Sequence, residues 1–117
     1  MVDEIIKRIL AREGSERVGM ILAHVGVVRG FSREGGPVRK VKVRVDHRAL
    51  EEILRQARQR PGIFAVEAQV NEGELGLGEV LMVLVVAGDF RENVIETLRE
   101  TLNEIKARVT SKEEVEE

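Results

Sequence analysis

Val80-Leu81-Met82-Val83-Leu84-Val85-Val86-Ala87 is the longest apolar run in the chain. It is far shorter than the ~20 residues a membrane-spanning helix needs. Asn71 to Gly78, with three glycines, precedes it as a turn-rich connection, and Asp89 follows it. A short apolar run bounded by turn signals reads as a buried strand, and this one predicts the central strand of a sheet. Everything else in the chain is placed around it.

Downstream, Asp89 and Glu92 form a capping-box-like start, with Asp in place of Ser or Thr. Val94, Ile95, Leu98, Leu102, Ile105 and Val109 then fall on one stripe at helical spacing, the clearest helix in the chain. Four of the last five residues are Glu, so 111–117 reads as an acidic solvated tail after a single domain spanning 1–110. Upstream, Ile63 to Val70 is a further strand. Before it, Asp46 caps a helix with the stripe Leu50, Ile53, Leu54 and Ala57, which Pro61-Gly62 stops. Val41, Val43 and Val45 alternate with Lys40, Lys42 and Arg44, a strand with one wet face. Gly30 to Pro37 is a loop with three glycines. Val18 to Val28 reads as a mostly buried strand. Val2, Ile5, Ile6, Ile9 and Leu10 make a first helix that Asp3 can cap and Gly14 can end. The predicted order is α-β-β-α-β-β-α. Strands adjacent in pairs imply an α+β, two-layer domain with a mostly antiparallel sheet and helices on one face.

Composition narrows the function. The 117 residues are enough for one core. Hydrophobic residues make up 43% and charged residues 34%, the balance of a globular chain. No cysteine is present, which excludes a disulfide scaffold, a thiolate zinc site, a cysteine nucleophile and any carriage of sulfur on a thiol of this chain. His24 and His47 are the only histidines and neither has acidic neighbours at ligand spacing, so no metal site and no cofactor are expected. The net charge of −2 exerts no global pull toward nucleic acid or anionic membrane. The acidic N-terminal start lacks the pattern of a signal peptide, which makes cytoplasmic residence the default expectation.

Charge is distributed unevenly. Arg29, Arg33, Arg39, Lys40, Lys42 and Arg44 are interrupted by a single acid, Glu34. This segment is either an anion-binding surface or the wet face of an edge strand, kept from associating by its charges. Arg29 stands apart, because it ends an apolar strand where a glycine-rich loop begins. His24 is either a strand residue satisfied by hydrogen bonds or part of a site. On the last helix Arg91 falls seven positions before Leu98, on the apolar side, and Lys106 lies at the margin of the same stripe. Both can lay their methylenes along the core and keep their charges in water. They are separated by ~22 Å of helix. One small ligand cannot touch both within one chain, so if both are functional the site is shared between two chains, or they serve different parts of a long ligand.

These residues together resemble one family. Gly19-Met20-Ile21-Leu22-Ala23-His24-Val25-Gly26-Val27-Val28-Arg29 is similar to an early strand of the molybdopterin synthase large (catalytic) subunit, MoaE-like proteins, where a glycine and an apolar run lead to Gly-x-Val-Arg. Gly73-Glu74-Leu75-Gly76-Leu77-Gly78-Glu79 resembles that family's Ile-Gly-x-Leu-x-x-Gly-Glu turn. Phe90-Arg91 resembles its His-Arg site, and Ile105-Lys106 its Leu-Lys. The resemblance implies an α/β-hammerhead fold and a role in molybdenum cofactor biosynthesis. It implies conversion of precursor Z, an anionic cyclic pyranopterin phosphate, into the molybdopterin dithiolene. Sulfur would arrive as a thiocarboxylate on a small ubiquitin-like subunit ending in Gly-Gly, and the large subunit would be a homodimer. Lys106 would be catalytic, and Arg29 and Arg91 would bind the pterin. His24 stands where the family has an aromatic residue, and Phe90 where it has histidine. A second family lysine, in a Pro-x-Trp-Lys segment, falls at Glu113, with Lys112 adjacent as a substitute. The alternative is a non-catalytic member that binds the small subunit or a pterin as a scaffold or regulator. A nucleic-acid binder is disfavoured by three phenylalanines, no Trp or Tyr and an acidic balance.

Overall fold

The computed structural model describes residues 1–115. Its elements are α1 (Val2–Leu10), a single 3-10 turn (Ser15–Arg17), β1 (Met20–Val27), β2 (Lys40–Val45), α2 (His47–Arg58), β3 (Ile63–Val70), β4 (Gly73–Gly76), β5 (Val80–Gly88), α3 (Arg91–Arg108) and β6 (Thr110–Val115). The α+β architecture is as expected. It contains two antiparallel three-stranded sheets, ordered β1-β5-β3 and β4-β2-β6.

The apolar run is β5, the middle strand of the first sheet. Its unbroken hydrophobicity has a direct cause, since helices cover both faces. Met82, Leu84 and Val86 pack with Ile53, Leu54 and Ala57 of α2 and Val94 and Ile105 of α3. Val83, Val85 and Ala87 pack with Ile5 and Ile9 of α1 and Ala65 of β3. The expectation of helices on one face is corrected by α1, whose short apolar stripe buries against the far side. Each fully buried Leu or Val contributes roughly 1.5–3 kcal/mol by transfer from water, so β5 anchors the fold.

Local chemistry explains most boundaries. Asp46 caps α2, accepting a hydrogen bond from Ala49 N at 3.1 Å. α2 ends at Arg58, before Pro61-Gly62. α1 starts one residue before Asp3, and Gly14 begins the 3-10 turn in a left-handed conformation rather than ending the helix. Phe90, not Asp89, is the N-cap of α3. The Asp89 carboxylate accepts instead from Phe90 N at 2.6 Å and Asn93 Nδ2 at 2.8 Å. The buried side of α3 also differs from the apolar stripe. Thr97 and Thr101 are buried beside Val94 and Ile105, while Ile95 is exposed. Both threonines are small enough to pack in that layer, and no buried side-chain N or O among the described residues lacks a partner.

Three strand expectations change. β1 is an edge strand, and Val25 and Val27 are exposed because α1 covers only the start of that face. The 71–78 connection contains β4. The segment assigned to a solvated tail contains β6, paired with β2 from Lys40↔Val115 to Val45↔Thr110. Its side chains are mostly exposed, which is why the acidic composition suggested a tail, but its backbone completes a ladder. Residues 116 and 117 of that tail lie outside the described residues. β2 is therefore the interior strand of its sheet rather than an edge.

Candidate functional site

The second sheet has its own small core of Val28, Val38, Val41 and Val43, with Leu75 and Leu81 against it. Backbone hydrogen bonds continue the β1–β5 and β2–β6 ladders past their strand ends. Val28 N donates to Glu79 O at 3.0 Å, Gly78 N to Val28 O at 2.9 Å, and Asp46 N to Val109 O at 2.9 Å. A cavity of about 540 Å³ is lined by residues that include His24, Arg29, Arg33, Val43, Lys106 and Lys112. That volume suits a small ligand.

Local structure places each of these side chains. His24 and Gly26 share a face of β1 with Leu22 by period two, and this is the face under α3. Gly26 lies beside the imidazole, and a Cβ there would meet His24 Nε2 at 3.5 Å, an ordinary van der Waals contact. No protein hydrogen bond to the imidazole is found among the described residues. Arg29 follows the end of β1. Its Nε donates to Phe31 O at 2.8 Å, and its guanidinium lies 5.4 Å from the Phe31 ring centre. This leaves the two terminal nitrogens available. Lys106 projects from the last turn of α3, where a cation also complements the helix dipole.

Register decides the lysine question at the C-terminal end. Lys112 pairs with Val43, whose side chain is buried toward the cavity, and Glu113 pairs with Lys42 on the outer face. Adjacent strand residues point to opposite faces. Glu113 therefore opposes the outer basic residues, and Lys112 lines the cavity.

Four cationic side chains line the cavity, Arg29, Arg33, Lys106 and Lys112, and no carboxylate does. None of the four forms an ion pair among the described residues, whereas Lys40, Arg91, Arg99 and Arg108 all do. Charges gathered without counter-charges in a concave site raise the local anion concentration. His24 is held below its ordinary value by burial and then by the charge of Lys106. It is therefore neutral at pH 7 and can donate at one ring nitrogen while accepting at the other.

Arg91 does not join this group. It is the first residue of α3, its side chain is 82% exposed, and it pairs with Glu92 at 3.4 Å. Side chains of a first turn tilt toward the helix N-terminus, which carries Arg91 past the sheet instead of onto the apolar side. The structure thus unites His24, Arg29, Lys106 and Lys112 and leaves Arg91 at the far end of the helix. It adds Arg33, which sequence reading placed only in a basic segment. The available signal was its position in a Ser-Arg-Glu-Gly turn close behind Arg29. The outer basic face of β2 is partly neutralised, since Lys40 meets Glu74 at 3.3 Å and Lys42 sits opposite Glu74 and Glu113.

A family model described as MoaE protein matches residues 1–108. The chain belongs to the MoaE family. Membership gives it a role in molybdenum cofactor biosynthesis. Among solved structures, molybdopterin cofactor biosynthesis protein E from Burkholderia multivorans is 22% identical with a TM-score of 0.78, covering 100% of this chain and 82% of that one. Molybdopterin synthase from Staphylococcus aureus is 18% identical with a TM-score of 0.75, covering 87% and 77%. A complex of subunits 1 and 2 of molybdopterin-converting factor from Helicobacter pylori is 17% identical with a TM-score of 0.73, covering 97% and 77%. At these identities the likeness establishes a MoaE fold. No curated protein matches the chain. Among the described residues no helix is long and apolar enough to cross a membrane.

Proposed function

We propose that this chain is the large subunit of a molybdopterin synthase, which transfers sulfur from a small-subunit thiocarboxylate to precursor Z. The observation that carries the reading is the cavity lined by Lys106, Lys112, Arg29 and His24, cationic throughout its charged lining. Both reactants are anions. One brings a phosphate, and the other brings a negatively charged C-terminal sulfur. In this reading Arg29 binds the pterin, and Lys106 does acid–base or covalent chemistry where the sulfur is delivered. Lys112 is the second lysine, supplied one position before Glu113. His24 lines the pterin side as a neutral hydrogen-bonding group.

The small ubiquitin-like protein is the partner this reading requires, and the Helicobacter pylori relative is itself a two-subunit complex. A homodimer is the arrangement that gives Arg91 a role. Phe90 and Ile95 beside it are exposed large apolar side chains, which suits a surface covered by a second copy. That copy would bring its Arg91 toward this cavity.

The test is reconstitution with precursor Z and thiocarboxylated small subunit. Product formation by the native chain, with Lys106→Ala reducing turnover by ~100-fold or more, supports the reading. Unchanged turnover in Lys106→Ala removes its assigned role. Tight binding of the small subunit without product would favour the non-catalytic scaffold, which the loss of the Pro-x-Trp-Lys segment motivates. Sedimentation of the native chain and an Arg91→Ala variant tests the shared site: a monomer with full turnover ends it.

A further inference from the structure

The cavity's cations are sorted by type. The two lysines come from the end of α3 and from β6, and the two arginines come from a single strand-to-loop segment, Arg29 and Arg33. An ammonium is a point charge suited to proton transfer, whereas a guanidinium is a planar fork that matches phosphate oxygens two at a time. The loop that carries Arg33 is a closed hairpin. Val38 N donates to Gly30 O at 3.0 Å, Phe31 bridges Pro37, and Ser32 N donates to Gly36 O at 2.8 Å. Gly35 N donates to Ser32 O at 3.0 Å, and Gly36 N donates to Ser32 Oγ at 3.1 Å. Gly35 turns the chain at φ +94°. Arg33 is therefore held inside a turn whose base is tied to Arg29 through Phe31.

We propose that Arg33 is the second arm of a phosphate clamp with Arg29, formed within one chain and separate from the lysine end of the cavity. The inference rests on the reading of the substrate as a phosphorylated pterin. It adds a specificity-determining residue to the same site and gives Arg29 a partner that does not depend on the distant Arg91. The Nε of Arg29 is occupied by Phe31 O, which leaves its terminal nitrogens for the ligand, and Arg33 reaches the same cavity from the loop. The clamp holds the phosphate at one end, leaving the lysine end open to the sulfur-bearing C-terminus.

The experiment is a calorimetric titration of the full chain with inorganic phosphate, repeated on Arg29→Ala, Arg33→Ala, Arg33→Lys, Lys106→Ala and Arg39→Ala. Arg39 is exposed and does not line the cavity. Arg33→Ala and Arg29→Ala are each expected to weaken phosphate binding by roughly tenfold or more, the scale of losing a charge-assisted pair of hydrogen bonds. Arg33→Lys should recover only part of it, and Arg39→Ala should match the native chain. In the reconstituted reaction Arg33→Ala should raise KM for precursor Z and leave kcat within about twofold, the pattern of lost uniform binding. Phosphate affinity unchanged in Arg33→Ala, with a circular dichroism spectrum like the native one, overturns the clamp. An equal loss in Arg39→Ala overturns it too, since the effect would then be bulk charge. Both results leave the synthase reading standing if Lys106→Ala still abolishes turnover. That reading fails separately if the native chain forms no product.

Discussion

Gly88→Ala tests whether the junction at the end of β5 sets the geometry of the fold. Gly88 is buried and pairs with Met20 on one side and Ile63 on the other. Its φ is not positive, so alanine is compatible with the backbone there. Stiffening the unfolded chain would by itself stabilise the variant by ~0.4–1 kcal/mol. Space decides against it. A Cβ at Gly88 would sit 2.5 Å from Gly62 O, 2.9 Å from Val94 Cγ2 and 3.2 Å from Ile63 Cδ1. The first neighbour is backbone and cannot rotate away. The second belongs to a fully buried residue of α3. Relief requires β3, β5 and α3 to separate, and overpacking of this kind costs typically ~1–3 kcal/mol, occasionally more. The expected net is a destabilisation of about 1–2 kcal/mol after the entropic gain. Gly30→Ala is the matched control, because its φ is ordinary and the nearest atom to a new Cβ is Leu77 Cδ1 at 4.0 Å. It should be neutral or slightly stabilising. Urea unfolding of both variants gives the comparison, read as a shift in midpoint at unchanged slope. A Gly88→Ala variant as stable as the native chain or Gly30→Ala would refute the packing argument.

Leu84→Ala, fully buried between β5 and the α2–α3 layer, should cost ~2–5 kcal/mol in the same assay. A loss below 1 kcal/mol would mean that this face collapses around the gap. In the reconstituted reaction Lys112→Ala should lower kcat/KM by roughly tenfold or more, while Glu113→Ala leaves it unchanged and Glu113→Lys fails to rescue Lys112→Ala. Rescue would show that the register of β6 differs from the pairing described. The lowered pKa of His24 fixes a sign for pH dependence. The unfolded chain binds this proton more readily, so the contribution to stability is complete above the ordinary value of 6.5 and is lost as pH falls through the lowered folded value. His24→Gln should flatten that acid-side loss in stability measured against pH. Burial is the larger cause and Lys106 the second, so Lys106→Met should raise the His24 pKa only part of the way in a proton NMR titration. A fall, or no change, would separate the two groups.

Sequence by itself determined what local patterns can encode. The run at 80–87 is long enough for one strand and too apolar for a surface position, so it had to be central. The caps and stops around α2 follow from the hydrogen-bonding chemistry of Asp46 and the missing donor of Pro61. The motifs from Val18 to Lys106 carried the family resemblance, because residues bound to particular turns and strand ends keep their spacing. Tertiary structure decided the rest. Which residues of β6 face the cavity depends on pairing with β2, and a one-residue difference in register exchanges Lys112 for Glu113. That choice lies in a long-range ladder, so an acidic composition misread the segment as a tail. Arg33 is near Arg29 in the chain, but only the closed hairpin aims it at the cavity. The distance of Arg91 from Lys106 along the last helix was legible from spacing alone, but only the structure shows Arg91 exposed and paired with Glu92 rather than on the apolar side. Chemistry was legible because it resides in side chains. Its assembly was not, because distance between side chains is set by how two sheets and a helix pack.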